Sequence, residues 1–217
     1  MRTMKRKILV SELARCSIED EPVELCEHKG IGHPDTLTDR ACEAVSRDLS
    51  LAYLERYGRI LHHNLDKGLL IAGKSAPRFG GGKWLEPMRL LICGTATQPH
   101  ADFNVMQLAH KSALASLIAA AQIEAEHFLI EPIIEEGSDS LKQVFSRPDG
   151  MPIANDTSFG VGFAPYSRLE RCVSLAAETL RSADFKLRFP AAGNDFKVMG
   201  HRIEDTIALT IAVAFID

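Results

Sequence analysis

The feature that most constrains this chain is a glycine-rich turn at residues 29–35, Lys-Gly-Ile-Gly-His-Pro-Asp, which opens directly into a helical pattern. Pro34 suits the first turn of a helix, where its missing N–H is not needed, and Asp35 suits the positive end of the helix dipole. Gly30 and Gly32 permit a positive φ or a close approach between the backbone and a ligand. The stretch therefore predicts a turn that delivers a histidine and a carboxylate to the start of a helix.

The same turn carries groups that suit anions and a hard cation. Unpaired amides at a helix N-terminus attract anions, and Lys29 and His33 add side-chain donors. Asp35 offers a ligand to Mg²⁺, which normally binds through one or two carboxylates plus substrate phosphates. The alternative is a glycine-proline turn that caps an ordinary helix, and the heptapeptide alone favours neither interpretation.

Hydrophobic periodicity predicts three helices separated by strands. Apolar residues at three- and four-residue steps predict a helix from residue 34 to about 57 that ends at Gly58, a second over 104–121 and a third from about 166 to 180. Short apolar runs predict strands at residues 6–16, 22–27, 60–64, 68–72, 88–97, 127–134, 197–201 and 206–216. Residues 75–83 are rich in glycine and proline and predict a loop. The alternation predicts an α/β fold, built as two-layer α+β subdomains whose mixed sheets carry helices packed on one face.

The turn at Pro148-Asp149-Gly150 is the best boundary between two subdomains. We expect a first α/β subdomain at residues 1–147, which contains the Gly-His-Pro-Asp turn and the glycine-rich loop, and a second, incomplete α/β subdomain at residues 148–217. The last strand is apolar at alternate residues, and no segment follows that would cover its edge. We therefore expect an oligomer, or a chain shorter than the fold to which it belongs.

Composition excludes several classes of protein. A net charge of -4 and the lack of a basic run with interleaved aromatics argue against a broad nucleic-acid surface. Five widely spaced cysteines without a C-x-x-C pair indicate neither a disulfide framework nor a zinc site. The apolar stretch after the basic N-terminus is too short for a signal peptide, and no segment approaches membrane-spanning length. We expect a globular cytoplasmic protein with reduced thiols.

Two stretches after the first predicted helix are further candidates for a site, one for its polar side chains and one for its glycines. Residues 62–67 read His-His-Asn-Leu-Asp-Lys, and strand alternation would place His62, Asn64 and Asp66 on one face and His63 on the other. Such a face suits a ligand, but a half-buried, hydrogen-bonded strand fits the pattern equally well. Residues 79–82, Phe-Gly-Gly-Gly, predict a surface loop or lid and only weakly a phosphate cradle.

A third stretch, residues 155–165, reads Asn-Asp-Thr-Ser-Phe-Gly-Val-Gly-Phe-Ala-Pro. It is dense in groups that cap turns, so it is also consistent with a plain loop that leads into the third helix. Gly160 and Gly162 on either side of Val161 predict a backbone pressed against a flat base or a neighbouring strand.

Taken together, these stretches resemble the archaeal-type methionine adenosyltransferases, also called S-adenosylmethionine synthetases. The blocks that carry the resemblance follow the family's order: residues 29–35, residues 59–64 with Asp66, residues 79–82, residues 154–165, and residues 197–200, Lys-Val-Met-Gly. The match runs from about residue 20 to the last residue and covers the family's N-terminal half only. Several ungapped blocks of this length make the resemblance highly specific.

The resemblance implies a transferase reaction in which methionine sulfur attacks the ribose C5′ of ATP. The whole triphosphate leaves and is then hydrolysed to phosphate and pyrophosphate. The leaving group develops negative charge that Mg²⁺, histidine and lysine stabilise, so catalysis would rest mainly on positioning and electrostatics.

The resemblance also assigns roles by position. His33 would contact the bridging oxygen and the phosphates at C5′, Lys197 would bind phosphate oxygens, and Asp35 would ligate Mg²⁺. Asp156 would line the methionine or adenosine pocket. The full set that the resemblance places at ATP or the substrate is Lys29, Gly32, Asn64, Asp66, Gly80, Gly81, Asn155, Asp156, Ser158 and Phe159. Family members also use K⁺, whose ligands this sequence does not place.

Members of the family are about twice as long as this chain. Their later blocks, which carry another magnesium-binding aspartate and further phosphate-binding residues, have no counterpart before Asp217, and their sites combine residues from two subunits. The resemblance therefore implies a homo-oligomer, or a hetero-oligomer with a C-terminal-half or full-length partner. Three functions stay open: a methionine adenosyltransferase, a catalytically incomplete binding or regulatory subunit, and a degenerate fragment.

Overall fold

A computed structural model describes residues 8–12, 14–100, 102–137 and 160–215, apart from the side chain of Asp66. The strands within these ranges are β1 Val23–Lys29, β2 His63–Ile71, β3 Lys74–Ala76, β4 Lys83–Glu86, β5 Met88–Ala96, β6 Phe128–Glu135, β7 Ala192–Ile203 and β8 Thr206–Phe215. The helices are α1 Pro34–Tyr57, α2 Val105–Ala121, α3 Arg168–Arg181 and α4 Ala183–Arg188. No helix in the described ranges is both long and apolar enough to cross a bilayer.

Helix α1 follows directly from its sequence. His33 caps its N-terminus, Pro34 occupies the first helical position, and Gly58 ends it in the left-handed conformation at φ 68°. Its apolar positions form one buried face: Leu37, Ala41, Ala44, Val45, Leu49 and Tyr53. The helix predicted over residues 34–57 is confirmed, and so are those predicted at 104–121 and about 166–180, although α3 begins at Arg168. The short helix α4 was not predicted.

Helices α1 and α2 cover one face of a mixed sheet with strand order β2-β5-β6. Strands β2 and β5 are antiparallel, whereas β5 and β6 are parallel. A parallel pair needs a crossover connection, and α2 supplies it. The core between these layers includes Leu49, Leu90, Ile92 and Leu117, none of which is exposed.

Helix α3 covers one face of a second, antiparallel sheet with strand order β1-β7-β8. Leu169 and Val173 on the helix pack against Phe196 and Val198 on β7. This sheet joins a strand from the start of the chain to the hairpin at its other end. The two sheets with helices on one face agree with the predicted fold class, although only the β2-β5-β6 sheet is mixed. The predicted boundary at residue 148 lies outside the described ranges and stays a prediction.

Two strand predictions and one loop prediction were wrong. The described part of residues 6–16 forms no strand, and Ile8, Leu9 and Val10 are exposed. Residues 60–64 and 68–72 are not two strands, because a bulge between Asn64 and Lys67 lets β2 run on as one. Residues 75–83 are not wholly irregular, since β3 and β4 pair as a small antiparallel hairpin. In each case the partner strand decides the outcome, and the local pattern does not show it.

The predicted closing hairpin is confirmed as β7 and β8, and β7 is longer than predicted at both ends whereas β8 begins at the predicted residue. In the register, Ile207, Leu209, Ile211 and Val213 lie opposite Arg202, Gly200, Val198 and Phe196 and so share their face. Leu209, Ile211 and Phe215 are nevertheless exposed, because α3 lies over β1 and β7. The expectation that another chain covers this strand stays a prediction.

A buried ion pair ties the second sheet to the helix that covers it. The Arg202 guanidinium lies 3.2 Å from the Glu24 carboxylate, and both side chains are almost fully buried. Ser167, which caps the start of α3, donates to the other oxygen of Glu24. Arg202 also donates to three backbone carbonyls, those of Ile18, Glu21 and Glu204. Every partner of this buried charge is therefore fixed by the fold.

We expect Arg202→Met to lower the free energy of unfolding by about 3–5 kcal/mol, because it leaves the Glu24 carboxylate buried without a cation. Urea denaturation measures the loss. The control is Arg168→Met, which removes exposed contacts to Glu19 and Asp205 and should cost less than about 1 kcal/mol. If both variants lost the same free energy of unfolding, burial of the Glu24–Arg202 pair would not be the reason for its contribution to stability.

Candidate functional site

The Gly-Ile-Gly part of the turn is docked on the first residues of β7. The Gly30 amide donates to the Phe196 carbonyl at 2.7 Å, and the Gly32 amide donates to the Asn194 carbonyl at 3.0 Å. A Cβ on Gly30 would lie 2.4 Å from the Asn194 carbonyl oxygen, and one on Gly32 would lie 2.8 Å from the Asn194 carbonyl carbon. Both glycines therefore serve a close approach of backbone to backbone within this chain. The sequence had offered a positive φ or the approach of a ligand instead, and neither glycine has a positive φ.

His33 caps α1 in a way that settles its tautomer. Its Nδ1 accepts a hydrogen bond from the Asp35 amide at 3.2 Å. In the neutral ring the proton must then lie on Nε2, because an imidazole nitrogen that accepts cannot also donate. The half-buried ring thus directs a donor away from the helix.

Two lysines and two carboxylates form one group beside this histidine, which we call the lysine–carboxylate cluster: Glu27, Lys29, Asp35 and Lys197. Lys29 Nζ lies 2.5 Å from Asp35 Oδ2 and 3.3 Å from Glu27 Oε1. Lys197 Nζ lies 2.7 Å from Glu27 Oε2. Glu27 therefore bridges both lysines.

The register explains why the cluster needs Glu27. Lys29 on β1 lies directly opposite Lys197 on β7. Like charges in directly opposed positions destabilise a sheet, and a local conflict of this kind is expected mainly at functional sites. Glu27 precedes Lys29 by two residues and so shares its face, where it neutralises part of the repulsion.

The cluster shifts the pKa values of its members. The ion-paired Lys29 ammonium holds the pKa of Asp35 below its usual range. Lys197 and Lys29 hold the pKa of Glu27 below its usual range, although partial burial opposes them. Asp35 and Glu27 raise the pKa of Lys29 in turn. Glu27, Lys29 and Asp35 are therefore charged at neutral pH.

Asp195 is a candidate that sequence reasoning missed. Burial raises the pKa of its carboxyl, and the nearby His33 opposes that rise. His33 also acts on Asp35, so the histidine lies close to two carboxylates. Glu27 was missed as well. Both acids stand two residues before a predicted lysine, Glu27 before Lys29 and Asp195 before Lys197, and strand alternation was the signal that would have found them.

The donor set of the cluster fits Mg²⁺. Asp35 is 63% exposed at the positive end of α1, with the Glu27 carboxylate in the same cluster. Mg²⁺ typically uses one or two carboxylates, keeps several waters and takes the rest of its ligands from phosphates. Among the described residues no group of three or more His, Cys, Asp or Glu side chains is arranged to hold a metal, so a closed structural metal site is not indicated there.

The predicted residues of the next block lie on the other sheet. Asn64 and Asp66 stand at the bulge of β2, which presses the Asn64 carbonyl against Gly94. The prediction that His62 and Asn64 share one strand face was wrong, because β2 begins only at His63 and His62 is buried where Asn64 is exposed. His63 turns towards α1, where its Nε2 lies 3.0 Å from the Ser46 hydroxyl.

The structure does not bring every predicted residue to the cluster. Gly80 and Gly81 lie in the connection between β3 and β4, both with positive φ and with open space around them. No hydrogen bond or ion pair between side chains in the described ranges joins Asn64 to the cluster. Of the predicted set, Lys29, Gly32, His33, Asp35 and Lys197 are the residues that the described structure places together.

The remaining predicted residues, Asn155, Asp156, Ser158 and Phe159, lie outside the described ranges. The end of the same block is described. A Cβ on Gly160 or Gly162 would meet no described atom within 4 Å. The prediction of a neighbouring strand against these two glycines was therefore wrong for the described part of the chain, and the alternative, a flat base, stays a prediction.

A sequence model of the S-adenosylmethionine synthetase (AdoMet synthetase) family matches residues 6–217. The S-adenosylmethionine synthase of Methanothermobacter thermautotrophicus is 45% identical over 98% of this chain and 54% of its own length. That of Pyrococcus furiosus is 45% identical over 99% of this chain and 55% of its own length. That of Thermococcus gammatolerans is 46% identical over 98% of this chain and 54% of its own length. The chain thus spans about half the length of the curated relatives it matches.

We expect Gly30→Ala to displace the turn, because the new methyl group would overlap the Asn194 carbonyl. Overpacking of this kind costs about 1–3 kcal/mol in the free energy of unfolding, which urea denaturation measures. Gly160→Ala is the control, since its methyl group meets open space and should change stability by less than about 0.5 kcal/mol. An unchanged free energy of unfolding in Gly30→Ala would show that the turn is not docked on β7.

We expect Lys29→Met to raise the pKa of Asp35, because the lysine is the main cause of the depression. A carboxylate with a depressed pKa stabilises the fold above its unfolded pKa, and that stability is lost as the pH falls through the lower, folded value. Carbon-detected NMR of the Asp35 carboxyl measures the titration. Lys74→Met, which removes a partner of Glu86 instead, should leave the Asp35 titration unchanged.

Proposed function

The chain belongs to the S-adenosylmethionine synthetase family, and we propose that its lysine–carboxylate cluster binds the triphosphate of ATP for the formation of S-adenosylmethionine. The observation that carries the proposal is the convergence of Lys29, Lys197, His33 and Asp35 at the N-terminus of α1. Two cations, an imidazole and a carboxylate are groups that suit a magnesium-bound polyphosphate. The amides of Gly30, Gly32, His33 and Asp35 are already bonded within the chain, so the attraction of the helix start for anions rests on the positive end of its dipole.

In the proposed reaction the methionine sulfur attacks C5′ of ATP. A C–S bond forms and the C5′–O bond breaks, so that the triphosphate leaves with the electron pair and the sulfur becomes a sulfonium. His33 Nε2–H donates to the bridging oxygen as charge develops there, and Lys29 and Lys197 hold the phosphate oxygens. Water then cleaves the triphosphate into phosphate and pyrophosphate.

Asp35, with Glu27 beside it, would hold Mg²⁺. The ion would neutralise part of the phosphate charge and so improve the leaving group. The family resemblance also includes K⁺, and we add this ion to the assay although none of the described residues is assigned to it. Asp195, which lies close to His33, is proposed to contact the nucleotide from the other side of the histidine.

A second candidate function is that of a subunit that binds the nucleotide and is completed by residues of another polypeptide. The observation that favours it is the uncovered apolar face of each sheet, which includes Leu25 on β1 and Leu69 on β2. Exposed apolar patches of this kind mark interaction sites. The relatives are also about twice as long as the matched region, so the proposed activity belongs to the whole protein of which this region is a part.

The two functions separate in one assay. The chain is incubated with labelled methionine, ATP, Mg²⁺ and K⁺, alone and with the part of the Pyrococcus furiosus relative that it does not match. Product from the chain alone would support the enzyme, and product only in the mixture would support the binding subunit. Failure to bind Mg-ATP in either arm would overturn both.

We expect Asp35→Asn to weaken binding of Mg-ATP by about tenfold or more, because the neutral amide is a poor ligand for Mg²⁺. Isothermal titration calorimetry measures the affinity. Asp102→Asn is the matched control, since Asp102 is similarly exposed and pairs with one cation, Arg56, away from the cluster. An unchanged affinity in Asp35→Asn would remove this residue from the metal site.

A further inference from the structure

We propose that Glu27 makes triphosphate binding depend on the divalent cation, because it holds Lys29 and Lys197 in ion pairs until a cation engages the carboxylates. Glu27 is thus a positioning residue for the two phosphate-binding lysines. The inference rests on the proposed function of the lysine–carboxylate cluster and adds the way in which that cluster is regulated.

The first step of the argument is that both lysines are ion-paired with carboxylates of the cluster. Lys197 is paired with Glu27, and Lys29 is paired with both Glu27 and Asp35. The cluster contains two positive and two negative charges, so its net charge is zero. A site for a highly charged polyphosphate is usually strongly positive, and this one is not.

The second step concerns what a polyphosphate meets when it arrives without a metal. It must share each lysine with a carboxylate, and these carboxylates lie within a few ångströms of the phosphates. Like charges at such distances repel strongly in a partly desolvated site. Metal-free binding is therefore opposed by the protein's own acids.

The third step is that a divalent cation removes both obstacles together. Asp35 and Glu27 would hold the cation, and the lysines would then be free to donate to phosphate oxygens. Because each ligand favours the same arrangement of the cluster, their binding is positively coupled, and the coupling is equal in both directions. Glu27 carries most of this coupling, since it touches both lysines whereas Asp35 touches only Lys29.

The test is calorimetry with AMP-PNP, whose imido bridge resists hydrolysis, at constant ionic strength with either Mg²⁺ or EDTA. We expect Glu27→Gln to bind metal-free AMP-PNP about five- to tenfold more tightly than the unchanged chain, because one repelling charge is lost and both lysines are released. The gain in affinity that Mg²⁺ confers should fall by at least the same factor. A variant that had lost its folded structure would bind AMP-PNP more weakly. Tighter binding of metal-free AMP-PNP by Glu27→Gln would therefore support the proposed role of Glu27.

Glu131→Gln is the matched control. Glu131 lies on β6 of the other sheet, is exposed to a similar degree and pairs with Arg89 across the strands at 2.8 Å. Loss of the Glu131 charge should leave the affinities for AMP-PNP, with Mg²⁺ and with EDTA, as they are in the unchanged chain. Glu27→Ala serves as a second variant with the same change of charge, and circular dichroism checks that each variant is folded.

The outcomes separate this inference from the function on which it rests. If the unchanged chain binds AMP-PNP with Mg²⁺ but Glu27→Gln and Glu27→Ala leave metal-free binding unchanged or weaker, the inference is overturned and the proposed triphosphate site stands. If Mg²⁺ does not alter the affinity of the unchanged chain, the inference is also overturned. If no variant binds AMP-PNP in either condition, the proposed function itself fails.

Discussion

The pairing of β1 with β7 is the constraint on which the rest of this structure depends. It runs antiparallel from Val23 opposite Ile203 to Lys29 opposite Lys197, and so joins the two ends of the described chain. At one end of the ladder the buried Glu24–Arg202 pair anchors α3 to the sheet. At the other end the ladder delivers Lys29 and the Gly-Ile-Gly turn to β7. The site is therefore a consequence of the sheet's register, since a shift of one residue would send Lys29 to the opposite face.

This arrangement leaves the lysine–carboxylate cluster without a net charge. The register sets Lys29 against Lys197, and the sheet tolerates them because Glu27 lies between them. Under the proposed function, the two lysines would bind phosphate oxygens, and Glu27 would be the carboxylate that a cation engages. The side chain that lets the two strands pair would then also take part in ligand binding.

The sequence correctly predicted those elements whose start and end signals lie within or next to their own residues. Helix α1 carries its cap, its proline and its terminal glycine within its own residues, and its bounds were predicted to the residue. Strands depend on partners elsewhere, so the apolar run at residues 8–10 gave a strand that is absent, and the loop at 75–83 concealed the hairpin of β3 and β4. The bulge in β2 was invisible for the same reason, because Gly94 on the neighbouring strand accommodates it.

For the site, the sequence by itself determined the family, the fold class and the turn that carries His33 and Asp35, because these lie in contiguous motifs with strong local preferences. Only the tertiary structure decided that Gly30 and Gly32 serve to dock the turn on β7, and that Glu27 bridges both lysines. It alone brought Asp195 close to His33 and left Asn64 on the other sheet. The physical reason is that charge pairing and close backbone approach depend on residues distant in sequence, which only the register of β1 against β7 brings together.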